Sequence, residues 1–326
     1  MNKLTVCICA YNAELYIGQT LQGLFEQTFR DFDLLIINDC STDHTVRVIE
    51  KFFADHHWKQ TKIVTLPENS GLANARRYAE NLVETEFLCF IDADDIPLPE
   101  AIEKMFHRIS SEPDCMTVSC YCEYISPEAK KIGGGIFIGP TTKEKFMKQS
   151  AEEKRMFIPP FNISRVQYIR QAGCRSIAGF PPGKPRYQDM CEDLDLWTRM
   201  SDFYKDGKYI IVLPEILFQY RKMPSSMSAN GHAMSMRMRH IKCNLKRRRA
   251  GFDELTFIDY MATLSRWQKI KYAYEDWGQN FYKQAGFHYL QKNYFHFLWN
   301  IGCAVLFAPG YFIQKLIKNV LPAVKK

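Results

Sequence analysis

The sequence predicts an α/β fold in which a largely parallel sheet is flanked by helices and followed by a helical C-terminal region. Short apolar runs alternate with helical patterns from Leu4 to Ile109, as in parallel sheets with crossover helices. The 326 residues are 46% hydrophobic and 14% aromatic, which is enough to bury a large core. Beyond Arg221 the chain becomes basic, aromatic and helical in pattern. One α/β domain with an appended region is therefore expected.

Four apolar runs near the N-terminus are candidate strands, and helical patterns lie between them. The predicted strands are Leu4–Cys9, Leu34–Ile37, Lys62–Leu66 and Phe87–Ile91. The predicted helices are Tyr16–Phe25, Thr45–Phe53 and Leu72–Leu82, in which apolar residues recur at helical spacing. Strands joined by such crossovers form one half of an open parallel sheet.

Polar residues follow each of these strands. In open α/β sheets, ligands bind beyond the carboxyl ends of the strands, so these residues should meet at one edge. The four strand-end segments are Ala10–Asn12, Asn38–Asp39, Asn69–Gly71 and Asp92–Asp95.

The pattern after Ile109 is more mixed. A strand is expected at Met116–Tyr124, a turn or flexible lid at Gly133–Gly135, and a helix around Cys191–Trp197. Loops at Pro159–Asn162 and Gly179–Arg186 are expected to shape binding pockets.

Asp92, Asp94 and Asp95 form an acidic cluster at the end of a buried strand. Clustered carboxylates repel one another and are costly to bury without a cation, so a divalent metal is one explanation. Mg²⁺ or Mn²⁺ would suit such oxygen ligands together with substrate phosphates. The other explanation is a solvated loop whose acids cap the following helix.

From about Leu4 to Ser228 the sequence resembles the family 2 glycosyltransferases, on five segments that occur in the family's order. These segments are Val6–Asn12, Ile37–Thr45, Asn69–Arg76, Phe90–Asp95 and Glu192–Trp197. The resemblance implies a GT-A fold, which is a Rossmann-like nucleotide-binding mixed sheet flanked by helices. It implies a catalytic domain at 1–228, with a nucleotide-sugar-binding half at 1–110 and an acceptor-binding half at 111–228. Residues 229–326 would form the basic amphipathic helical region.

The resemblance also implies roles for individual residues. Ala10, Tyr11 and Asp39 would surround the uracil of a UDP-sugar, Arg76 would lie near the donor nucleotide, and Asp92 would touch the ribose. Asp94 would bind the Mg²⁺ or Mn²⁺ ion with support from Asp95. Asp193 would be the catalytic base that takes the proton of the acceptor hydroxyl in an inverting reaction. From the residues alone, Asp39 could equally be a turn residue and Asp193 a surface carboxylate.

Two positions depart from the family's pattern. Arg77 follows Arg76 where the family often has Asn, and Met223 stands where many relatives have a His that completes the metal or diphosphate site. Met is a poor ligand for a hard cation. Either the diphosphate and water complete the metal shell, or His232 does so.

The C-terminal third carries a positive charge. Residues 1–220 hold 25 Lys and Arg against 31 Asp and Glu (net −6), whereas residues 221–326 hold 18 against 5 (net +13). The basic stretch Arg237–Arg249 could be a solvated helix face, a nucleic-acid patch or a surface for anionic lipids. The run Asn293–Gln314 has no charged residue, and an apolar stripe follows from Leu316 to Val324. We expect attachment to a membrane surface and no nucleic-acid partner; a span and helices packed on the enzyme are the alternatives.

The expected function is an inverting, metal-dependent transfer of a sugar from a UDP-sugar to a hydroxyl of a lipid-linked or membrane-associated glycan in bacterial surface polysaccharide synthesis. The N-terminus has no signal-peptide pattern, and the 11 cysteines lie mostly in apolar runs typical of buried thiols. The enzyme is therefore expected in the cytoplasm, attached peripherally to the inner face of the cell membrane. The alternatives are a nucleotidyltransferase acting on a sugar phosphate and an inactive nucleotide-sugar-binding module.

Overall fold

A computed structural model describes residues 2–56, 58, 60–173, 178–223, 231–290 and 292–315. The chain divides into two compact units. The first contains Met1–Ser226 and Ile241–Glu254, and the second contains Met227–His240 and Leu255–Lys326.

The first unit is built on a mixed sheet. Its strands are β1 (Leu4–Ala10), β2 (Phe32–Asn38), β3 (Thr61–Thr65), β4 (Phe87–Asp92), β5 (Ile96–Pro97), β6 (Cys115–Ile125), β7 (Lys131–Ile136), β8 (Asn162–Arg165) and β9 (Tyr209–Arg221). The order across the sheet is β3-β2-β1-β4-β8-β6-β9-β5, with β7 paired to β6. This arrangement confirms the predicted α/β fold.

The helices of this unit cover the sheet. They are α1 (Ile17–Phe25), α2 (Thr45–Asp55), α3 (Leu72–Leu82), α4 (Ala101–Ser111), α5 (Lys143–Ala151), α6 (Val166–Ala172) and α7 (Glu192–Met200). Two 3-10 segments, Tyr187–Asp189 and Ser201–Asp206, flank α7. The helices bury one apolar face each, as the helical spacing of Ile17, Leu21 and Leu24 in α1 illustrates.

The strands predicted in the first 110 residues are confirmed to within two residues at each end. They pair in parallel, and the register places Cys9 of β1 beside Ile37 of β2 and Asp92 of β4. The carboxyl ends of β1, β2 and β4 therefore meet at one edge, as the polar strand-end residues predicted.

The second half of the sheet brings the end of β9 to the acidic cluster. Strand β8 runs antiparallel to both β4 and β6, whereas β9 runs parallel to β6. The short strand β5 begins directly after Asp95 and pairs Ile96 with Gln219 of β9. The prediction of a turn or lid at Gly133–Gly135 was wrong, because these glycines lie inside β7.

The basic stretch Arg237–Arg249 lies near the start of the helical C-terminal region. It lies in α8 (Gly231–Arg249), whose residues from Ile241 onward belong to the first unit. Arg248 and Arg249 both bind the Asp202 carboxylate, at 2.5 and 2.7 Å. Arg248 also binds Glu254 at 2.7 Å. These charges are neutralised inside the first unit.

The described residues of the second unit include the helices α9 (Phe257–Thr263), α10 (Arg266–Leu290) and α11 (Tyr294–Phe307). In the part of the chain that is described, no helix is by itself long and apolar enough to cross a membrane. Tyr294–Phe307 and Pro309–Lys315 reach that length and composition only as a pair, and they meet at a bend of 119°. The predicted stripe from Leu316 to Val324 lies outside the described residues.

Candidate active site

The loops after β1 and β2 are tied together by side chain to backbone hydrogen bonds. Asn12 has a positive φ of 50°, and its Oδ1 accepts a hydrogen bond from the Thr42 amide at 2.8 Å. The Ala13 amide donates to Oγ1 of Thr45 at 2.7 Å. Between these hydrogen-bonded loops, Ala10 is buried and Tyr11 is half-exposed at the edge of the sheet.

Asp39 organises the loop that follows β3. Its Oδ1 accepts from the amide and the hydroxyl of Ser70, each at 2.8 Å. Its Oδ2 accepts from the Gly71 amide at 2.8 Å and from the Asn69 side-chain amide at 3.1 Å. The Asp39 amide donates to the Ala10 carbonyl at 2.8 Å, so Asp39 lies beside Ala10 at the sheet edge, and its carboxylate orients the Asn69–Gly71 loop.

The segment before α7 closes on the same loop from the other side. Asp189 accepts a hydrogen bond from the Ala73 amide at 2.9 Å and so caps α3. Arg186 donates to Oδ1 of Asn69 at 2.6 Å. Burial raises the pKa of Asp189, with a further contribution from the charge of Asp39. Asp189 was not predicted from the sequence. The signal was Gly71, which has no side chain to cap α3, so that the cap must come from another part of the chain.

Arg76 connects the end of β4 to the start of α7. Its Nη2 binds Oδ1 of Asp92 at 2.6 Å, and its Nη1 binds the Glu192 carboxylate. Both Arg76 and Glu192 are buried. Burial acts to lower the pKa of Arg76, but the charges of Asp92 and Asp193 outweigh it and raise that pKa above its ordinary value. This bridge joins residues that are 116 positions apart.

Asp193 lies in the first turn of α7, beside the Arg76 bridge. Its Oδ1 accepts from the Leu194 amide at 2.6 Å. Asp193 and Arg76 line a small cavity together with Asn162 and Trp197. The adjacent Glu192 is committed to Arg76, so Asp193 is the member of the acidic pair that faces this cavity.

Asp94 and Asp95 differ in their surroundings. Asp95 is buried and accepts a hydrogen bond from the Arg221 amide at 2.9 Å. Burial and the charges of Asp92 and Asp94 raise the pKa of Asp95 well above its ordinary value. Burial and the charge of Asp92 raise the pKa of Asp94 to about 6.

Arg221 fixes the turn that carries these acids. Its Nε donates to the Asp94 carbonyl at 2.7 Å, and its Nη2 donates to Oε1 of Gln19 in α1 at 2.7 Å. Its Nη1 donates to the Pro127 carbonyl at 2.6 Å. The fully buried guanidinium therefore joins α1, β9 and the acidic turn.

Tyr220 is a second residue that the sequence analysis missed. It shares a strand face with Phe218, which packs on Phe161 with ring centroids 5.4 Å apart. Burial raises the pKa of the Tyr220 phenol, and the charges of Asp92, Asp95, Asp94 and Asp193 raise it further. The phenol therefore stays protonated and can donate a hydrogen bond. The signal in the sequence was the Tyr220-Arg221 pair at the end of an apolar strand.

The donor set fits a divalent cation only with help from a substrate. Within the described ranges, no group of three or more His, Cys, Asp or Glu side chains is placed to hold a metal ion. Arg221 binds Asp94 at its backbone carbonyl and not at its carboxylate, whereas the Asp92 carboxylate is paired with Arg76. Mg²⁺ commonly takes one or two carboxylates and completes its shell with phosphate oxygens, which suits this arrangement. His232, the alternative metal ligand named from the sequence, binds Oδ2 of Asp276 at 2.7 Å within the second unit.

Comparisons with known proteins identify the family of this chain. Residues 5–173 match the family described as Glycosyl transferase family 2. A teichoic acid poly(glycerol phosphate) polymerase of Staphylococcus epidermidis is 43% identical over 95 residues, covering 29% of this chain and 13% of that protein. The Escherichia coli UDP-Glc:alpha-D-GlcNAc-diphosphoundecaprenol beta-1,3-glucosyltransferase WfaP is 28% identical over 142 residues, covering 43% of this chain and 53% of that protein.

Solved structures share the fold. The crystal structure of residues 1–349 of Staphylococcus aureus TarS in complex with UDP-GlcNAc has a TM-score of 0.54 to this chain. The two are 18% identical, and the match covers 86% of this chain and 81% of that one. The likeness shows the GT-A fold.

Proposed function

The chain belongs to glycosyl transferase family 2, and from this premise we propose that it moves a sugar from a UDP-sugar to a hydroxyl of a lipid-linked or membrane-associated glycan. The observation that carries the proposal is the Arg76 bridge. It brings Asp92, at the edge where a nucleotide binds an open α/β sheet, against α7, which carries Asp193. Arg76 and Asp193 line the same small cavity, which supports placing the carboxylate base beside the donor site.

The donor half of the site suits UDP. The uracil would be surrounded by Ala10, the half-exposed ring of Tyr11 and Asp39. Arg76 would lie near the nucleotide, because it binds Asp92. The Asp92 carboxylate, which binds Arg76 through Oδ1, would also bind the ribose. Support comes from TarS, a protein of the same fold whose structure holds UDP-GlcNAc.

A divalent ion, Mg²⁺ or Mn²⁺, would be held by Asp94, and the diphosphate would supply further oxygens. Bound there, it would neutralise the charge of the departing diphosphate. Asp95 would support Asp94 through the turn, since Asp95 is anchored to the Arg221 amide. The metal shell would then need no ligand from position 223, where this chain has Met.

Asp193 would act as the base of an inverting transfer. Its carboxylate takes the proton of the acceptor hydroxyl while the acceptor oxygen forms a bond to the anomeric carbon. The bond from that carbon to the diphosphate oxygen breaks on the opposite face, and UDP leaves with the electron pair. Tyr220 can donate a hydrogen bond within the site, because its raised pKa keeps the phenol protonated.

The acceptor class and the location follow from chemistry and from relatives. WfaP is described as acting on a sugar linked to diphosphoundecaprenol, and the Staphylococcus epidermidis relative is a teichoic acid polymerase. A similar lipid-linked acceptor would require this protein to work at a membrane surface. We therefore place it in the cytoplasm, peripherally attached to the inner face of the cell membrane, in surface polysaccharide synthesis.

The test is the variant Asp193→Asn, with Asp195→Asn as the matched control. Asp195 lies in the same helix, where its carboxylate pairs with Arg199 at 3.3 Å. A panel of radiolabelled UDP-sugars is first screened for hydrolysis or transfer with Mn²⁺. Asp193→Asn should reduce the rate roughly 10³-fold, the usual size of a general-base contribution, and leave UDP affinity unchanged. Asp195→Asn should remain close to the wild-type rate.

Three outcomes would count against the proposal. Unchanged turnover in Asp193→Asn would remove this residue from the mechanism. UDP binding without turnover of any donor would indicate an inactive binding module. Release of pyrophosphate from a nucleoside triphosphate and a sugar phosphate would indicate nucleotidyl transfer.

A further inference from the structure

Helices α10 and α11 of the second unit pack against each other through small and aromatic side chains. A Cβ added to Gly278 of α10 would collide with Ala308, so the two segments approach closely there. The rings of Phe281 and Phe307 stack at 5.6 Å. Ala285 and Ala304 are buried. This packing leaves the opposite side of α11 uncovered within the second unit.

The uncovered side of α11 is apolar. Phe295, Leu298, Trp299 and Leu306 are 77%, 65%, 65% and 76% exposed, and their spacing places them on one face. We call these four residues the α11 outer face. A helix that is apolar on its outer as well as its inner face is typical of a membrane environment or a covered interface.

The charged residues of this part of the sequence have one sign. From Trp277 to the last residue the sequence contains six lysines and no Asp, Glu or Arg. Lys292 lies two residues before α11, and Lys315 is the last described residue of the helical segment that follows it. Bringing two copies of this surface together would oppose lysines to lysines, whereas anionic headgroups would neutralise them.

We propose that the α11 outer face is the surface through which this protein binds an anionic lipid bilayer. The helix lies in the plane of the membrane with these four side chains among the acyl chains and Lys292 and Lys315 at the phosphates. The bend of 119° at Ala308 suits this position, because it turns the next segment away before the apolar run becomes long enough to span. Trp299 and Tyr294 provide the aromatic rings that favour the interface.

This inference deepens the membrane location proposed above, and its test does not depend on sugar transfer. The full chain is floated with vesicles of phosphatidylcholine, with and without phosphatidylglycerol, and tryptophan emission is recorded. The double variant Leu298→Glu/Leu306→Glu should lose roughly tenfold or more of its partitioning, because it replaces two leucines that would lie among the acyl chains with charges. The control is Ile258→Glu, since Ile258 of α9 is 50% exposed in the same unit but lies off this face.

The lysines are tested separately. Lys292→Glu and Lys315→Glu should each weaken binding to phosphatidylglycerol vesicles roughly fivefold and leave binding to phosphatidylcholine nearly unchanged. Circular dichroism and UDP affinity verify that every variant is folded.

Two results would overturn the proposal. One is equal flotation of the wild type and the double glutamate variant. The other is a wild-type dimer in solution that these glutamates dissociate while vesicles capture neither protein, which would assign the face to self-association. A protein that binds vesicles but transfers no sugar would refute the proposed function and leave this inference standing.

Discussion

Gly71 begins α3 with a φ of +90°, in a region that side-chain-bearing residues avoid. A Cβ at this position would lie 2.5 Å from Oδ2 of Asp189 and 3.0 Å from Nη1 of Arg186. The loop therefore depends on a residue without a side chain for both backbone and steric reasons. Asp39 accepts hydrogen bonds from the loop's backbone amides on one side, and Asp189 caps α3 on the other.

Gly71→Ala should disturb both of these carboxylates. We expect the free energy of unfolding to fall by about 2–4 kcal/mol, from backbone strain plus overpacking. Displacement of the loop should slow transfer roughly hundredfold. Urea unfolding and steady-state kinetics measure the two effects.

Gly207→Ala is the control for this substitution. Gly207 has a φ of +75° with no atom within 4 Å of an added Cβ, so it isolates strain at about 1 kcal/mol. Equal destabilisation by both variants would show that the contact with Asp189 is unimportant.

Some site residues were predictable from the sequence and others were not. Asp39, Asp92 and Asp94 follow directly from strand ends, because a parallel sheet gathers those ends at one edge. Asp189, Glu192 and Tyr220 act on residues more than a hundred positions away, and no local pattern shows which partner each will find. The role of Asp193 came only from the family resemblance and remains a prediction.

At the scale of elements, the junction of β5 and β9 determines where the acidic turn lies. Strand β5 has two residues, too few for a recognisable pattern, and it was not predicted. Strand β8 was also missed, since Asn162–Arg165 reads as part of a loop after two prolines. By contrast, β1 and β4 are long, apolar and bounded by polar residues, so their positions were clear.

Arg221→Lys tests this junction. Lysine keeps the charge but cannot reach the Asp94 carbonyl, the Pro127 carbonyl and Gln19 together. We expect a loss of about 2–4 kcal/mol in the free energy of unfolding and a lower kcat at unchanged UDP affinity.

Arg108→Lys serves for comparison, because Arg108 is only half-buried and pairs with Glu112 at 2.9 Å one helical turn away. It should cost less than about 1 kcal/mol. If Arg221→Lys were equally mild, the junction would not depend on its guanidinium.

At the scale of the whole molecule, the sign of the charge changes along the chain. The net charge is −6 for residues 1–220 and +13 for residues 221–326. The acidic part contains the proposed site, where a substrate diphosphate would approach the carboxylates of Asp92 and Asp94. A bound divalent ion would reconcile these charges.

Metal removal is therefore expected to abolish transfer without unfolding the protein. Treatment with EDTA should lower the rate at least roughly hundredfold, and added Mn²⁺ should restore it. The melting temperature without donor should stay constant, because Arg76 and Arg221 anchor the acidic residues without the ion. Full activity after exhaustive chelation would refute the metal dependence.

The Arg221 contacts also bear on how the protein is made. Gln19 and Arg221 are 202 positions apart, and Arg76 and Glu192 are 116 apart. During synthesis the first four strands leave the ribosome before Glu192 and Arg221 do, so a half-sheet formed at that stage would have an unfinished edge. Catalytic competence is thus acquired late, when β9 emerges and its arginine closes the acidic turn.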